Sequence, residues 1–270
     1  MQVLGVVGAG ASALCERVAP HLDGRVAVVE RRAGDADGDS SAAPESDADR
    51  PDGVDTAYAL GDGSWSAAGG DRSLDDVLDD LAPAYDHALL VGFPDAAFPT
   101  VALGDAAASN VALDAADADA VDVESVLAAI ADAEPHVTLE ALVERVKASP
   151  RADRAGAIAT FTGRVRTKDG EDDPETLELT FEKYEGVAEE RMREIESELM
   201  ERDGVQEVVC FHRTGTLRSG EDIVFVVVLA GHREEAFETV SDGINRLKDE
   251  VPIFKRETTV EEDFWVHDRQ

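Results

Sequence analysis

Two lysines near the C-terminal end of the chain have the type and spacing that suit chemistry. Lys248 lies in a stretch whose apolar residues recur at helical spacing, and Lys255 follows shortly after Pro252. Because proline disfavours helical backbone in the residue before it, we expect the helix to end at or before Val251. Residues 253–259 then form a strand. The pattern places Lys248 in the last helical turn and Lys255 on the following strand.

A lysine acts as an acid, a base or a nucleophile near neutral pH only if its pKa is lowered. Neighbouring cations have that effect, and Arg246 and Arg256 are close in sequence to both lysines. A cation in the last turn of a helix also complements the helix dipole. A purely structural role for Lys248 is therefore the alternative.

Two more basic groups end predicted strands. Arg164 and Arg166 end the strand predicted for residues 155–165, and His232 and Arg233 join the strand 223–230 to the next helix. Guanidinium and imidazole groups bind phosphate, and a helix N-terminus favours an anion. Pairs of this kind are usually surface charges. Three basic groups in a chain of net charge −34 favour an anionic ligand.

The composition limits the classes of partner and compartment. With 59 acidic and 25 basic residues, the chain is too negative to bind nucleic acid or an anionic membrane non-specifically. Normal apolar content with so many carboxylates is typical of a folded protein of halophilic type. The chain starts without a secretory signal and has no apolar run of membrane-spanning length, which predicts a soluble cytoplasmic protein. Cys15 and Cys210 form no disulfide framework or metal-ligand spacing, so we expect no metal site.

The charge pattern predicts two domains, residues 1–134 and 135–270. The first contains no lysine, and the first lysine of the chain is Lys147. Pro135 and the change of pattern after it place the boundary there.

The first domain begins like a nucleotide-binding α/β domain. An apolar run at residues 3–8 leads into GAGAS, a helix at 11–22 and a strand at 25–30. A P-loop requires a lysine followed by serine or threonine, which is missing, and Ala13 replaces the third glycine of G-x-G-x-x-G. A simple tight turn is the alternative. Further strands (87–91, 100–103, 110–113), helices (75–81, 121–133) and a polar loop (34–55) predict a degenerate, P-loop-like α/β domain with a mostly parallel sheet.

The second domain is predicted to be an α+β sandwich. Its helices are expected at residues 138–147 and 187–200 and around Lys248, and its strands at 155–165, 177–184, 205–212, 223–230 and 253–259. In the second of these strands, Leu177, Leu179 and Phe181 alternate with polar residues. That pattern predicts one buried face that carries all three.

Several ungapped motifs of the second domain resemble a known family. They are AGAIATFTGRVR, LTFEKYEGVAEERM, HRTGTLRSGEDIVFVVVLAGHREEAFE, LKDEVPIFKRE and FWV, in that order. Over residues 136–267 the chain is similar to the large, catalytic subunit of molybdopterin synthase, the MoaE family. The first domain resembles more weakly the MobB-type P-loop proteins, through LGVVG and DHALLVGF.

The resemblance implies a sulfurtransferase of molybdenum cofactor biosynthesis with no bound cofactor. Such enzymes convert cyclic pyranopterin monophosphate to molybdopterin by two sulfur transfers, taking sulfur from a thiocarboxylated ubiquitin-like small subunit. Family members are homodimers. The implied substrate-binding residues are Arg164, Val165, Arg166, His232, Arg233, Lys248, Lys255, Arg256 and Glu257.

The resemblance and the lysine chemistry together assign the catalytic roles. Lys248 is the principal acid/base or covalent lysine, and Lys255 polarises the substrate and binds the carboxyl terminus of the carrier; the two roles could be reversed. Two functions from other classes remain as alternatives. One is a non-catalytic scaffold that binds the sulfur carrier, and the other is a nucleotide-binding accessory protein that uses the first domain.

Overall fold

The computed structural model describes residues 1–31, 53–70, 72–168, 170–171, 173–184, 186–260 and 263–266. The chain divides into two compact units, Met1–Thr138 and Leu139–Gln270. The division lies four residues after the boundary expected from sequence. Most of the loop predicted for residues 34–55 lies outside the described residues.

The first unit alternates strands and helices, as its sequence pattern predicted. Its elements are β1 (Gln2–Val7), α1 (Ala11–Val18), β2 (Val26–Glu30), β3 (Thr56–Gly61), β4 (Ser64–Gly69), α2 (Leu74–Leu81), β5 (His87–Val91), β6 (Thr100–Leu103), β7 (Val111–Ala115) and α3 (Val123–Ala131).

Five strands of the first unit form one sheet in the order β2-β5-β1-β6-β7, and all neighbouring pairs are parallel. The central strands are buried because helices cover a parallel sheet. The predicted α/β class is confirmed. In the dinucleotide-binding order the first two strands are neighbours, whereas here β5 separates β1 from β2. The sheet order therefore contradicts a dinucleotide-binding reading of GAGASA.

A two-stranded hairpin, β3–β4, was not predicted. Its strands contain mostly Ala, Gly and Ser, so propensity gave only a weak signal, from Thr56, Tyr58 and Trp65. The turn between the two strands gave a clearer sequence signal. Gly61 pairs with Ser64, which leaves Asp62 and Gly63 as a two-residue connection, and Gly63 has a φ of 87°. An Asp-Gly dipeptide is a strong marker of such a hairpin.

The second unit mixes helices with antiparallel strands. Its elements are α4 (Leu139–Lys147), β8 (Ala157–Arg164), β9 (Thr176–Lys183), α5 (Val187–Met200), β10 (Val205–His212), β11 (Gly215–Arg218), β12 (Asp222–Ala230), α6 (Arg233–Glu250), β13 (Ile253–Thr259) and β14 (Asp263–Val266). The short strands β11 and β14 were not predicted.

These strands form two antiparallel sheets, in the orders β10-β12-β8 and β11-β9-β13-β14. Apolar faces of α5 and α6 pack on the first sheet and form the larger core of this unit. A second apolar cluster consists of Val165, Leu179, Phe181 and Leu217. Ile223 and Ile253 pack against both clusters, so the start of β12 and the start of β13 lie where the clusters meet. The predicted α+β class is confirmed.

The prediction that Leu177 shares a buried face with Leu179 and Phe181 is wrong. Leu177 is 50% exposed, and Thr176 is buried in its place. The register between β9 and β13 shifts at this point, since Thr258 pairs with Glu178 and Thr259 with Thr176. The β-bulge reverses the inside–outside alternation of the strand, because an extra residue on one strand breaks the period of two.

Both cysteines are buried, Cys15 in the first unit and Cys210 in the second. Desolvation by burial raises the pKa of Cys15 to about 11 and that of Cys210 to about 12. Thiols with such values are not nucleophiles at neutral pH, so both cysteines act as small apolar side chains. Across the described stretches, none of the helices is long and apolar enough to cross a membrane.

Candidate functional site

Helix α6 runs back along strand β12 and carries Lys248 in its last turn, as predicted. At Gly243 the helix approaches the sheet so closely that a Cβ atom would lie 3.0 Å from Cγ1 of Val226. That contact anchors the middle of α6 over the middle of β12. Lys248 lies beyond it, exposed to solvent, toward the end where β12 begins.

An ion network fixes the C-terminal end of α6 to α5. Arg246 donates to Glu250 over 2.8 Å and to Glu198 on α5, and Arg191 of α5 donates to Glu250 and Glu194. The charge of Arg246 is therefore compensated by carboxylates. It does not face Lys248 as an unpaired cation, contrary to the reasoning from sequence. The network instead holds the helix turn from which Lys248 projects.

The contribution of this network to the free energy of unfolding should depend on pH, and that dependence can be measured. The hydrogen bond from Arg246 lowers the pKa of Glu250 from its usual 4.5 to about 2. A lowered pKa in the folded state stabilises the protein above the unfolded value, and that stabilisation is lost as pH falls from about 4.5 toward 2. In urea unfolding at constant ionic strength, the midpoint difference between wild type and Glu250→Gln should be constant above pH 5 and shrink below 4.5. A difference independent of pH would contradict this assignment.

Lys255 and Glu257 lie on the inner face of the second sheet. Lys255 pairs with the buried Phe181, and Glu257 with the buried Leu179. Residues directly opposite in an antiparallel pair share a face, so both charged side chains point toward the second apolar cluster. Nζ of Lys255 lies 3.9 Å from Oε2 of Glu257. Arg256 pairs with Thr180 and Trp265 on the opposite face.

Residues 164–166 bring two arginines beside this cluster. Arg164 ends β8, and its Nε lies 3.1 Å from Oδ1 of Asp222. Val165 is 2% exposed and packs in the same apolar cluster as Leu179, and its N–H donates to the carbonyl of Glu221 over 2.9 Å. The exposed Arg166 follows directly. The buried valine thus anchors a loop that holds one arginine on each side.

His232 and Arg233 begin helix α6. His232 is the N-cap residue in extended conformation, and its side chain forms no capping hydrogen bond. Both side chains are exposed at the end of the sheet where β12 finishes. The imidazole and the guanidinium therefore stand where the helix dipole is positive, as predicted.

The structure separates the predicted site residues into two groups. Arg164 pairs with Asp222 at one end of the β8–β12 ladder, and Ala157 pairs with Ala230 at the other. Seven residues of extended strand span about 23 Å. Arg164, Val165, Arg166, Lys248, Lys255 and Glu257 lie toward the first end, which we call the lysine end. His232 and Arg233 lie at the second, which we call the histidine end. The basic residues were expected from sequence to lie together in one site.

The glycine loop of the first unit has a structural explanation that needs no nucleotide. Gly8 has a φ of 102°, and a Cβ atom there would lie 2.3 Å from the carbonyl oxygen of Leu103. Ser12 donates a 3.4 Å hydrogen bond to Glu30 at the end of β2. The loops that follow the other strand ends carry Asp95, Asp105 and Asp117. Carboxylates at this edge oppose a phosphate group, which supports the prediction of a degenerate P-loop.

Two residues near the lysine end escaped the sequence reasoning. Lys183 shares the inner face with Phe181 and forms a 2.7 Å ion pair with Glu189. Thr176 donates a hydrogen bond of 2.5 Å to Glu257. Neither lies in a basic pair, and the bulge that turns Thr176 inward leaves no signal in the sequence. No cluster of metal-ligating side chains occurs within the ranges that the structure covers.

Fold and site together define an α+β protein that gathers lysine and arginine side chains on an otherwise acidic chain, which suits an anionic ligand. Comparison with known proteins gives the family. The family described as MoaE protein matches residues 133–250. A probable molybdopterin synthase from Haloferax volcanii is 61% identical over 270 residues, which is 100% of both chains. A molybdopterin synthase catalytic subunit from Yersinia pestis is 40% identical over 44% of this chain and 78% of its own.

The chain belongs to the MoaE family of molybdopterin synthases. The predicted family, enzyme class and place in molybdenum cofactor biosynthesis are confirmed. Among solved structures, MobB from Bacillus subtilis is 16% identical, with a TM-score of 0.36, over 48% of this chain and 98% of its own.

Proposed function

We propose that this chain is the catalytic subunit of a sulfurtransferase that converts cyclic pyranopterin monophosphate to molybdopterin. The sulfur comes from the C-terminal thiocarboxylate of a ubiquitin-like small subunit. The single observation that best supports this function is the lysine end. It brings two lysines, two arginines and a carboxylate toward one end of the β8–β12 ladder, on a chain with 25 basic against 59 acidic residues.

The proposed division of labour follows from where each group lies. Lys248, exposed at the end of a helix that an ion network holds, acts as the principal acid/base or covalent lysine. Lys255, on the inner face of the second sheet, polarises the substrate and binds the carrier's C-terminal carboxyl group. Arg164 and Arg166 hold the substrate phosphate, since guanidinium groups bind phosphate with two parallel hydrogen bonds. Arg256 projects from the other sheet face and serves the substrate less directly.

A homodimer explains how two separated groups serve one substrate. His232 and Arg233 lie about 23 Å from Arg164 along the same sheet, farther than a pterin phosphate reaches. In a two-fold dimer the histidine end of one chain can meet the lysine end of its partner. Each dimer then contains two equal sites, and each site uses both chains.

The wider setting of the enzyme follows from the composition. We propose a cytoplasmic protein of a halophilic cell, whose carboxylates need molar salt to screen their mutual repulsion. Residues 1–134 and 135–270 act as separate domains, the second catalytic and the first a docking or regulatory domain without nucleotide. The small subunit is the expected protein partner.

Reconstitution tests the function. Full-length protein in molar KCl, mixed with cyclic pyranopterin monophosphate and the thiocarboxylated small subunit, is expected to form molybdopterin. The matched control uses the same small subunit with an ordinary C-terminal carboxylate, which has no sulfur to transfer and should give no product. Product with both carriers, or with neither, would contradict the proposed sulfur transfer.

A further inference from the structure

The carboxylate of Glu257 accepts a hydrogen bond from Thr176, a residue that belongs to none of the three basic groups predicted from sequence. Oγ1 of Thr176 donates to Oε1 of Glu257 over 2.5 Å. Thr176 is 7% exposed, and the Glu257 side chain is 16% exposed. A hydrogen bond from a buried hydroxyl to a carboxylate restricts rotation of that carboxylate.

The β-bulge of strand β9 makes this hydrogen bond possible. Thr176 pairs with Thr259, which lies two residues after Glu257 and on the same face of β13. Without the register shift, Leu177 would point to this face and Thr176 to the other. The bulge turns Leu177 out to solvent and brings a hydroxyl under Glu257.

The two oxygens of Glu257 then have different partners. Oε1 accepts from Thr176, and Oε2 lies 3.9 Å from Nζ of Lys255. Because the hydroxyl fixes one oxygen, the other keeps its direction toward the ammonium group. The fixed carboxylate thereby favours the Lys255 rotamers that keep the ammonium group near Glu257.

We propose that Thr176 is a positioning residue that acts on Lys255 through Glu257. The inference rests on the proposed function, since it assumes that Lys255 works on the substrate. If the hydroxyl is lost, the carboxylate rotates and Lys255 samples other rotamers. The turnover rate falls as a result, while the arginines that bind the substrate phosphate remain in place.

The experiment compares Thr176→Val with Thr176→Ser in the reconstituted synthase. Valine keeps the shape and removes the hydroxyl, and we expect kcat to fall about tenfold while the KM for cyclic pyranopterin monophosphate stays within about twofold of wild type. Serine keeps the hydroxyl and should restore most of kcat. Thr239→Val, which removes another buried threonine hydroxyl from the N-terminal half of α6, is the matched control and should keep kcat. If Thr176→Val lowers the melting temperature strongly, Thr176→Ala provides the same comparison.

A double mutant tests whether Thr176 acts through Glu257. In a Glu257→Ala background, Thr176→Val should lower kcat by less than twofold, because the carboxylate on which it acts is gone. A full tenfold loss in that background, or an unchanged kcat in the single variant, would overturn the proposal. The variant Lys255→Ala distinguishes a failure of the proposed role of Thr176 from a failure of the proposed role of Lys255. If Lys255→Ala is inactive while Thr176→Val is fully active, only the role of Thr176 is wrong, and a fully active Lys255→Ala disproves the role of Lys255.

Discussion

Replacement of Lys248 by alanine is expected to lower the rate of molybdopterin formation by about 10²–10⁴-fold, the usual contribution of a positioned acid or base. The side chain is exposed at the end of α6, so its loss removes no packing and the melting temperature should stay unchanged. The measurement is single-turnover product formation with a saturating thiocarboxylated carrier, which isolates chemistry from product release.

Lys147→Ala is the matched control for this prediction. Lys147 is the last residue of helix α4, a position similar to that of Lys248 in the last turn of α6. The Lys147 side chain is 52% exposed and forms an ion pair with Glu144. Its removal should leave the rate within twofold of wild type. If Lys248→Ala also stays within twofold while Lys255→Ala is inactive, the two proposed roles are reversed. If both variants keep the wild-type rate, neither lysine is catalytic.

The second large effect concerns the dimer site proposed above, in which two inactive chains should together form one active site. We expect a heterodimer of Lys248→Ala with His232→Ala/Arg233→Ala to show about half the activity of wild-type dimer. One of its sites combines an intact lysine end with an intact histidine end, and the other lacks both. Purification through two different affinity tags gives the heterodimer free of either homodimer.

The control carries all three substitutions on one chain and pairs that chain with a wild-type chain. A heterodimer of wild type with the triple variant has one damaged end in each site, so it should be inactive if sites are shared. If every site used a single chain, this second heterodimer would have half the activity and the first would have none. The two designs therefore give opposite results under the two hypotheses.

Much of the fold was predictable because its signals are local. Pro252 gave the end of α6, and runs such as HALLV and the alternation around Phe181 gave strands that the structure contains. The β3–β4 hairpin was missed because alanine and serine carry little strand preference, although Asp62-Gly63 marked its turn. Leu177 was misplaced because a bulge depends on the partner strand, which sequence spacing does not encode.

The sequence suggested the proposed site residues by their type, but it could not give their places in the fold. Arg164 and His232 each end a predicted strand, yet a strand ending says nothing about which end of the sheet it occupies. The antiparallel course of β8 and β12 sends these two residues to opposite ends. Arg246 was misjudged only partly for a similar reason. One of its carboxylate partners, Glu198, lies 48 residues away on α5, whereas the other, Glu250, is four residues further along the same helix and is visible in the sequence.

The distance between the lysine end and the histidine end has a consequence for how the enzyme responds to its own concentration. If each site needs two chains, dilution below the dimer dissociation constant removes activity without unfolding any chain. Specific activity would then rise with protein concentration and reach a plateau. A cell that makes this protein sparingly would control molybdopterin supply through subunit abundance, with a response steeper than proportional.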